Sequence, residues 1–169
     1  GLPTSAGATT INKVCGSGMK AIMFGHDLIK AGSATVVVAG GMESMSNAPH
    51  MIPNSRSGNR YGNFQAVDHM AWDGLTNPYD GQSMGVFAES TVEKYGFSRE
   101  DQDAFALESQ RRAATDDAQQ AFAEEIVEVT TSGGRPVQVS KDEHPRPDTT
   151  LESLAALPAA FAKDGTVTA

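Results

Sequence analysis

The chain holds a single cysteine, at position 15, among its 169 residues. One thiol excludes a disulfide framework, a cysteine-rich structural zinc site and a CxxC redox pair. Basic residues are also scarce, 13 Lys and Arg against 21 Asp and Glu. Such a balance argues against a nucleic-acid binder, which needs a basic face to displace phosphate counterions. Long apolar runs are missing too. Stretches such as Ala34–Ala39 fall far below the roughly 20 residues of a membrane span. No basic segment followed by an apolar one opens the sequence, so no signal peptide is expected. No metal-ligand cluster, internal repeat or low-complexity tract is visible. The expected setting is a reducing, cytoplasmic compartment, without membrane or nucleic-acid partners.

Hydrophobic residues make up 39% and charged ones 20%, which supports a folded chain rather than a disordered one. Charge is unevenly spread. Residues 1–97 carry 6 basic and 7 acidic groups, whereas residues 98–169 carry 7 and 14. The chain opens on Gly1 instead of Met and stops at Thr166–Ala169 in mid-pattern, so it reads as a piece of something longer.

Ala8–Val14 is rich in β-branched residues and predicts a strand. Met19, Ile22, Met23, Leu28 and Ile29 fall three and four apart and predict a helix over Ser17–Lys30, stopped by Ala31-Gly32-Ser33. Thr35–Ala39 predicts a strand covered on both faces. Strand, helix and strand in so short a span suggest a layered α/β core. Ser46–Asn63, with its Pro, Asn, Ser and Gly, predicts a long functional or interface-forming loop.

Beyond it, Met84–Tyr95 predicts a helix closed by Gly96. A second opens on the near capping box Ser98-Arg99-Glu100-Asp101 and is expected to run to about Gln119. Ile126–Thr130 and Val137–Ser140 predict a hairpin around Ser132-Gly133-Gly134. Thr149-Thr150-Leu151-Glu152 predicts another capping box, and Ala159–Ala169 a final strand after a Lys163-Asp164-Gly165 turn.

Cys15 is the informative residue. A thiol where a strand turns into a helix meets unpaired N–H groups and the positive end of the helix dipole, which favour thiolate. Gly16 and Gly18 bring no Cβ and permit a tight turn with close substrate approach. Backbone N–H groups at Cys15 and Gly16 are candidate oxyanion donors. The residues alone leave two readings open, a nucleophile or a small buried apolar side chain.

Asn12-Lys13-Val14-Cys15-Gly16-Ser17-Gly18-Met19-Lys20-Ala21, followed by Ala39-Gly40-Gly41-Met42-Glu43-Ser44-Met45-Ser46, resembles the thiolase family, most nearly its acetyl-CoA acetyltransferases. The likeness continues through Asp73-Gly74-Leu75, Met84-Gly85, Ser98 to Gln110, Arg146 to Ser153, Pro158 to Phe161 and Asp164 to Ala169. It implies an α/β fold, a thiolase-like layered core segment plus an α+β loop domain. Residues 1–46 would belong to the N-terminal core and 47–169 to the inserted loop domain, which binds CoA and builds oligomers. The C-terminal domain would be absent.

The resemblance also implies two-step acyl transfer in fatty acid metabolism. Cys15 would take an acetyl group as a thioester, and a second acetyl-CoA would attack it to give acetoacetyl-CoA, thiolysis being the reverse. The helper His, Asn and second Cys of the family lie in its C-terminal domain, so the chain alone is expected to be inactive. The four histidines, His26, His50, His69 and His144, match no family motif. Positions matching the family's CoA contacts are Leu75, Met84, Arg146, Ser153, Ala160, Phe161 and Ala169. No tightly bound cofactor is implied, only CoA and acetyl-CoA as substrates.

Ser83 stands where many acetyl-specific thiolases have His before Met-Gly, and Arg146–Glu152 also resembles degradative 3-ketoacyl-CoA thiolases. A thiolase of broader chain length is therefore the alternative, and a non-catalytic CoA-binding or oligomerisation module the alternative of another class. Pro49–Val67, with Arg56, Arg60, Tyr61 and Phe64, matches the family's tetramer loop and predicts a homodimer or homotetramer.

Overall fold

A computed structural model describes residues 2–169. The chain divides into two compact units, Gly1–Thr76 and Asn77–Ala169. In the first, the leading element is α1 (Ser17–Lys30), with the boundaries that its apolar spacing predicts. A tight 3₁₀ turn, Val14–Gly16, feeds directly into it. Glycine decides how α1 packs. A Cβ on Gly25 would sit 3.1 Å from the Val37 side chain, and one on Gly41 would sit 3.1 Å from the Gly18 Cα. The two glycine-bearing motifs thus press backbone against backbone, which any larger side chain would prevent.

Neither expected strand forms here. Ala8–Val14 and Thr35–Ala39 run without a β-ladder. A strand exists only through hydrogen bonds to a neighbour, and neither run pairs with another among the described residues. Thr35–Ala39 is not covered on both faces either: Val37 turns toward α1, while Val36 and Val38 are 82% and 75% exposed. The expected long loop is partly pinned instead. β1 (His50–Met51) pairs antiparallel with β2 (Val67–Asp68), His50 opposite Asp68 and Met51 opposite Val67. A single π-helical turn, Met70–Leu75, follows, and His69 Nε2 lies 3.1 Å from Asp73 Oδ2 across it.

The second unit begins with α2 (Met84–Tyr95). Gly96 closes it with φ 69° and its N–H bonded to the Val92 carbonyl, a left-handed cap that a side chain would strain. α3 (Arg99–Ala113) starts at a full capping box: Asp101 N–H donates to Ser98 Oγ, and Ser98 N–H to the Asp101 carboxylate. α3 does not continue to Gln119. It breaks at Ala114, and Thr115 caps α4 (Asp116–Glu125) by accepting from the Ala118 N–H at 3.3 Å. Asp116 and Asp117 then face the positive end of the new helix.

The hairpin is present but short, β3 (Val129–Thr130) against β4 (Gln138–Val139). α5 (Leu151–Ala155) has its capping box one residue later than expected, Thr150 with Ser153. The Thr149 hydroxyl is spent on the Arg146 carbonyl at 2.7 Å, so Thr150 takes the cap. The final strand is likewise absent; Ala159–Ala169 folds on itself, with Ala160 N–H on the Val167 carbonyl at 2.9 Å.

Among the described residues no apolar side chain is buried, and Asp103 is the one buried charged residue. Units this small bury a modest share of their surface, so polar ties carry much of the order. On α3, Glu108 accepts from Arg111 Nε at 2.6 Å and Arg112 Nε at 2.7 Å. These two guanidiniums hold its carboxyl down at about 2, from an ordinary 4.5. A depressed carboxyl contributes stability that is full above pH 4.5 and lost as pH falls through 2. Thermal melts of Glu108→Gln should therefore lie slightly below the parent at pH 7 and converge with it as pH drops across that window. The gap should be small and shrink in high salt, because the pair is exposed.

Candidate active site

The turn that carries Cys15 is built from its neighbours. Asn12 Oδ1 accepts from the Val14 N–H at 2.8 Å. Ser17 Oγ accepts from the Lys13 N–H at 2.9 Å and donates to the Val14 carbonyl at 2.7 Å. These bonds hold Val14 at φ 47°, a left-handed conformation that a β-branched residue avoids. Such strain costs on the order of 1–3 kcal/mol and persists only where the surroundings over-determine it. Asn12 and Ser17 thus support the turn, a role that motif reading passes over. An Asn three residues before the cysteine and a Ser between two glycines, each able to bond nearby backbone, were the available signal.

Cys15 is exposed. It precedes α1 directly, and Gly16 at the N-cap supplies no side-chain cap. No acidic residue occupies the first turn and Lys30 sits in the last, so nothing opposes the positive end of the helix. The two candidate oxyanion amides differ. Gly16 N–H donates to the Lys13 carbonyl at 3.0 Å, whereas Cys15 N–H has no partner among the described residues.

The candidate CoA residues are exposed and distributed over both units. Leu75 ends the π-turn of the first unit. The other six lie in the second. Met84 opens α2, and Ser83 before it is extended, with a side chain that caps nothing. The Phe161 ring packs against Gly85, and a Cβ there would collide with it. Ala160, Phe161 and the last turn are tied back to α2 and α3 through Thr166 and Val167. Arg146 is placed by its own backbone: its N–H donates to Gln110 Oε1 at 2.8 Å, and its carbonyl receives the Thr149 hydroxyl. Its guanidinium is left exposed. No contact of the exposed Ala169 helps define this cluster.

Ser153 is more restricted than its residue type suggests. Its hydroxyl donates to the Thr150 carbonyl at 2.8 Å and accepts from the Thr150 N–H at 3.0 Å. With the donor spent, one lone pair remains. It can receive an amide N–H from a ligand but cannot give a bond to a ligand carbonyl. Two histidines take local partners, His26 lying 3.2 Å from Asp27 and His69 pairing with Asp73; His50 stands in β1 and His144 is exposed.

The family model for the thiolase N-terminal domain matches residues 1–169. The chain belongs to the thiolase family. It is 49% identical to an acetyl-CoA acetyltransferase of Chromobacterium violaceum and 47% identical to one of Pseudomonas aeruginosa. It is 46% identical to a probable acetyl-CoA acyltransferase of Staphylococcus aureus. Each match takes in the whole of this chain and 44% of the relative, so the chain spans under half the length of those relatives. The family and the mixed helix and strand content agree with an α/β class. Among the described residues no helix is long and apolar enough to cross a membrane.

Proposed function

We propose that this chain carries the nucleophile and the CoA-covering segment of a thiolase that condenses two acetyl-CoA molecules into acetoacetyl-CoA, or runs the reverse thiolysis. The observation that carries this reading is the exposed Cys15 in a strained turn at the uncapped start of α1, in a chain of thiolase sequence. Residues 1–46 then act as core and 47–169 as the inserted loop domain.

The Cys15 thiolate attacks the thioester carbonyl of acetyl-CoA, a new C–S bond forms, and CoA leaves as its thiol after taking a proton. The free Cys15 N–H is the donor best placed to receive the developing oxyanion. A second acetyl-CoA then loses a proton from Cα. Its carbanion attacks the Cys15 thioester, the C–C bond forms and the cysteine departs as thiolate. Proton transfer in both halves falls to the acid and base that the family resemblance places in a C-terminal domain, so residues 1–169 alone should not turn over. In the cytoplasm, a homo-oligomer is assigned to the loop holding Tyr61 and Phe64, which are 98% and 62% exposed.

Within the second unit, Met84, Ala160 and Phe161 offer apolar contact to pantetheine, Ser153 accepts one of its amide N–H groups, and Arg146 attracts the nucleotide phosphates; Leu75, in the first unit, rests on family resemblance. Local charge has to do this, since the chain as a whole carries −8 and repels a polyanion. Ala169 rests on family resemblance alone. A second reading, thiolysis of longer 3-ketoacyl-CoA, is favoured by the short uncapping Ser83 beside Met84 and by relatives whose names read acyltransferase.

The deciding experiment incubates the full-length protein with labelled acetyl-CoA and maps the label. A hydroxylamine-sensitive acetyl group on Cys15 is the expected result; label elsewhere or none refutes the reading. For the nucleotide contact, Arg146→Ala should raise KM for acetyl-CoA about five- to tenfold with little change in kcat, because a remote contact contributes uniform binding. An unchanged KM takes Arg146 out of the site.

A further inference from the structure

Three polar side chains on α2 and α3 converge on the segment that runs from α5 to Val167. Arg99 Nε donates to both carboxylate oxygens of Asp103, at 2.9 and 3.0 Å. Its Nη2 donates to the Leu154 carbonyl and, at 3.0 Å, to that of Leu157. These carbonyls lie at and just past the end of α5; that of Leu154 also accepts the Leu157 N–H at 3.0 Å. Gln102 Nε2 donates to Thr166 Oγ1 at 3.0 Å. The Glu89 carboxylate accepts from Thr166 N–H at 3.1 Å and Val167 N–H at 2.9 Å. It lies so close to Gly165 that a Cβ there would collide with it.

Asp103 is 7% exposed, so its charge is bearable only while Arg99 pairs with it. The guanidinium therefore spans a buried carboxylate on one side and two backbone carbonyls on the other. That needs a planar fork with several donors, which lysine lacks. In a unit with no buried apolar side chain among the described residues, these bonds join the contact of the Phe161 ring with Gly85 in fixing where the segment lies. Ser153 sits one residue before the first anchored carbonyl, and Ala160 and Phe161 lie between the anchors at Leu157 and Thr166.

We propose that Arg99, seated by Asp103 and assisted by Gln102 and Glu89, is a positioning residue for acyl-CoA: it holds Ser153, Ala160 and Phe161 at the spacing the thioester arm requires. The inference rests on the reading of those three as CoA contacts, and the test separates the two.

In the full-length protein, Arg99→Lys should raise KM for acetyl-CoA about tenfold while kcat stays within about twofold. Iodoacetamide labelling of Cys15 in the absence of CoA should keep its rate. Gln102→Leu, which leaves the Arg99–Asp103 pair intact, should raise KM about threefold, and it decides the matter if Arg99→Lys fails to fold. Ser153→Ala and Phe161→Ala are measured alongside. Should these raise KM while Arg99→Lys and Gln102→Leu do not, the positioning role is overturned and the contacts stand. Should Ser153→Ala and Phe161→Ala leave KM unmoved, the contact reading itself fails and the inference falls with it.

Discussion

Cys15→Ala should abolish acyl transfer by the full-length protein, lowering kcat/KM by at least about a thousandfold, since a covalent carrier has no substitute once removed. The variant should still bind CoA with nearly the parent affinity, because none of the candidate CoA contacts includes the sulfur. It should also melt within a few degrees of the parent: Cys15 is exposed and its side chain bonds to nothing that holds the turn. Loss of rate with retained binding and stability separates a nucleophile from a structural thiol. In the parent, iodoacetamide should label Cys15 faster than a free thiol at pH 7, and acetyl-CoA should slow it. Residual turnover above about one part in a hundred would show that another group accepts the acyl chain.

How far the residues foretold this arrangement depends on the range of the forces involved. α1 and α2 emerge with the predicted ends because amphipathic spacing, Gly96 and the caps are local. The Ser98 box is likewise read within four residues. Thr115-Asp116-Asp117 was an equally local start signal, and the split of α3 from α4 was legible to anyone weighing it against continuity. The runs at Ala8–Val14 and Thr35–Ala39 failed for a different reason. β-branched residues state a preference for extended backbone, whereas a strand also needs a partner, which no property of the run supplies.

At the site, glycine motifs and the lone thiol pointed to Cys15, yet two features stayed hidden. The exhaustion of the Ser153 donor follows from a cap register settled by where the Thr149 hydroxyl goes. The π-turn that ends at Leu75 follows no 3.6-residue pattern. Arg99 illustrates the limit best. Its pairing with Asp103 is an i, i+4 contact visible in the sequence. Its reach to Leu154 and Leu157, 55 and 58 residues on, is a tertiary fact that no periodicity encodes.

Gly85→Ala sets local preference against such a tertiary fact, and the tertiary one should win. Alanine is the best helix former, so replacing a glycine in the first turn of α2 would by itself stabilise the helix by about 1 kcal/mol. Here the Phe161 ring occupies the space of the new methyl group. A rigid ring cannot bend away as a flexible chain end does, so the segment around Ala160 and Phe161 must shift. Overpacking of this kind costs about 1–3 kcal/mol, enough to outweigh the propensity gain. The melting temperature should fall, and KM for acetyl-CoA should rise about tenfold as Phe161 leaves the pantetheine path. The double variant Gly85→Ala/Phe161→Ala makes the cause testable. Without the ring, alanine keeps its helix gain and meets no obstacle, so the double variant should melt above Phe161→Ala alone. Glycine-to-alanine would then destabilise in one background and stabilise in the other, a reversal that additive effects cannot produce. The same sign in both would mean that Gly85 is there for the backbone of α2 and not for the ring.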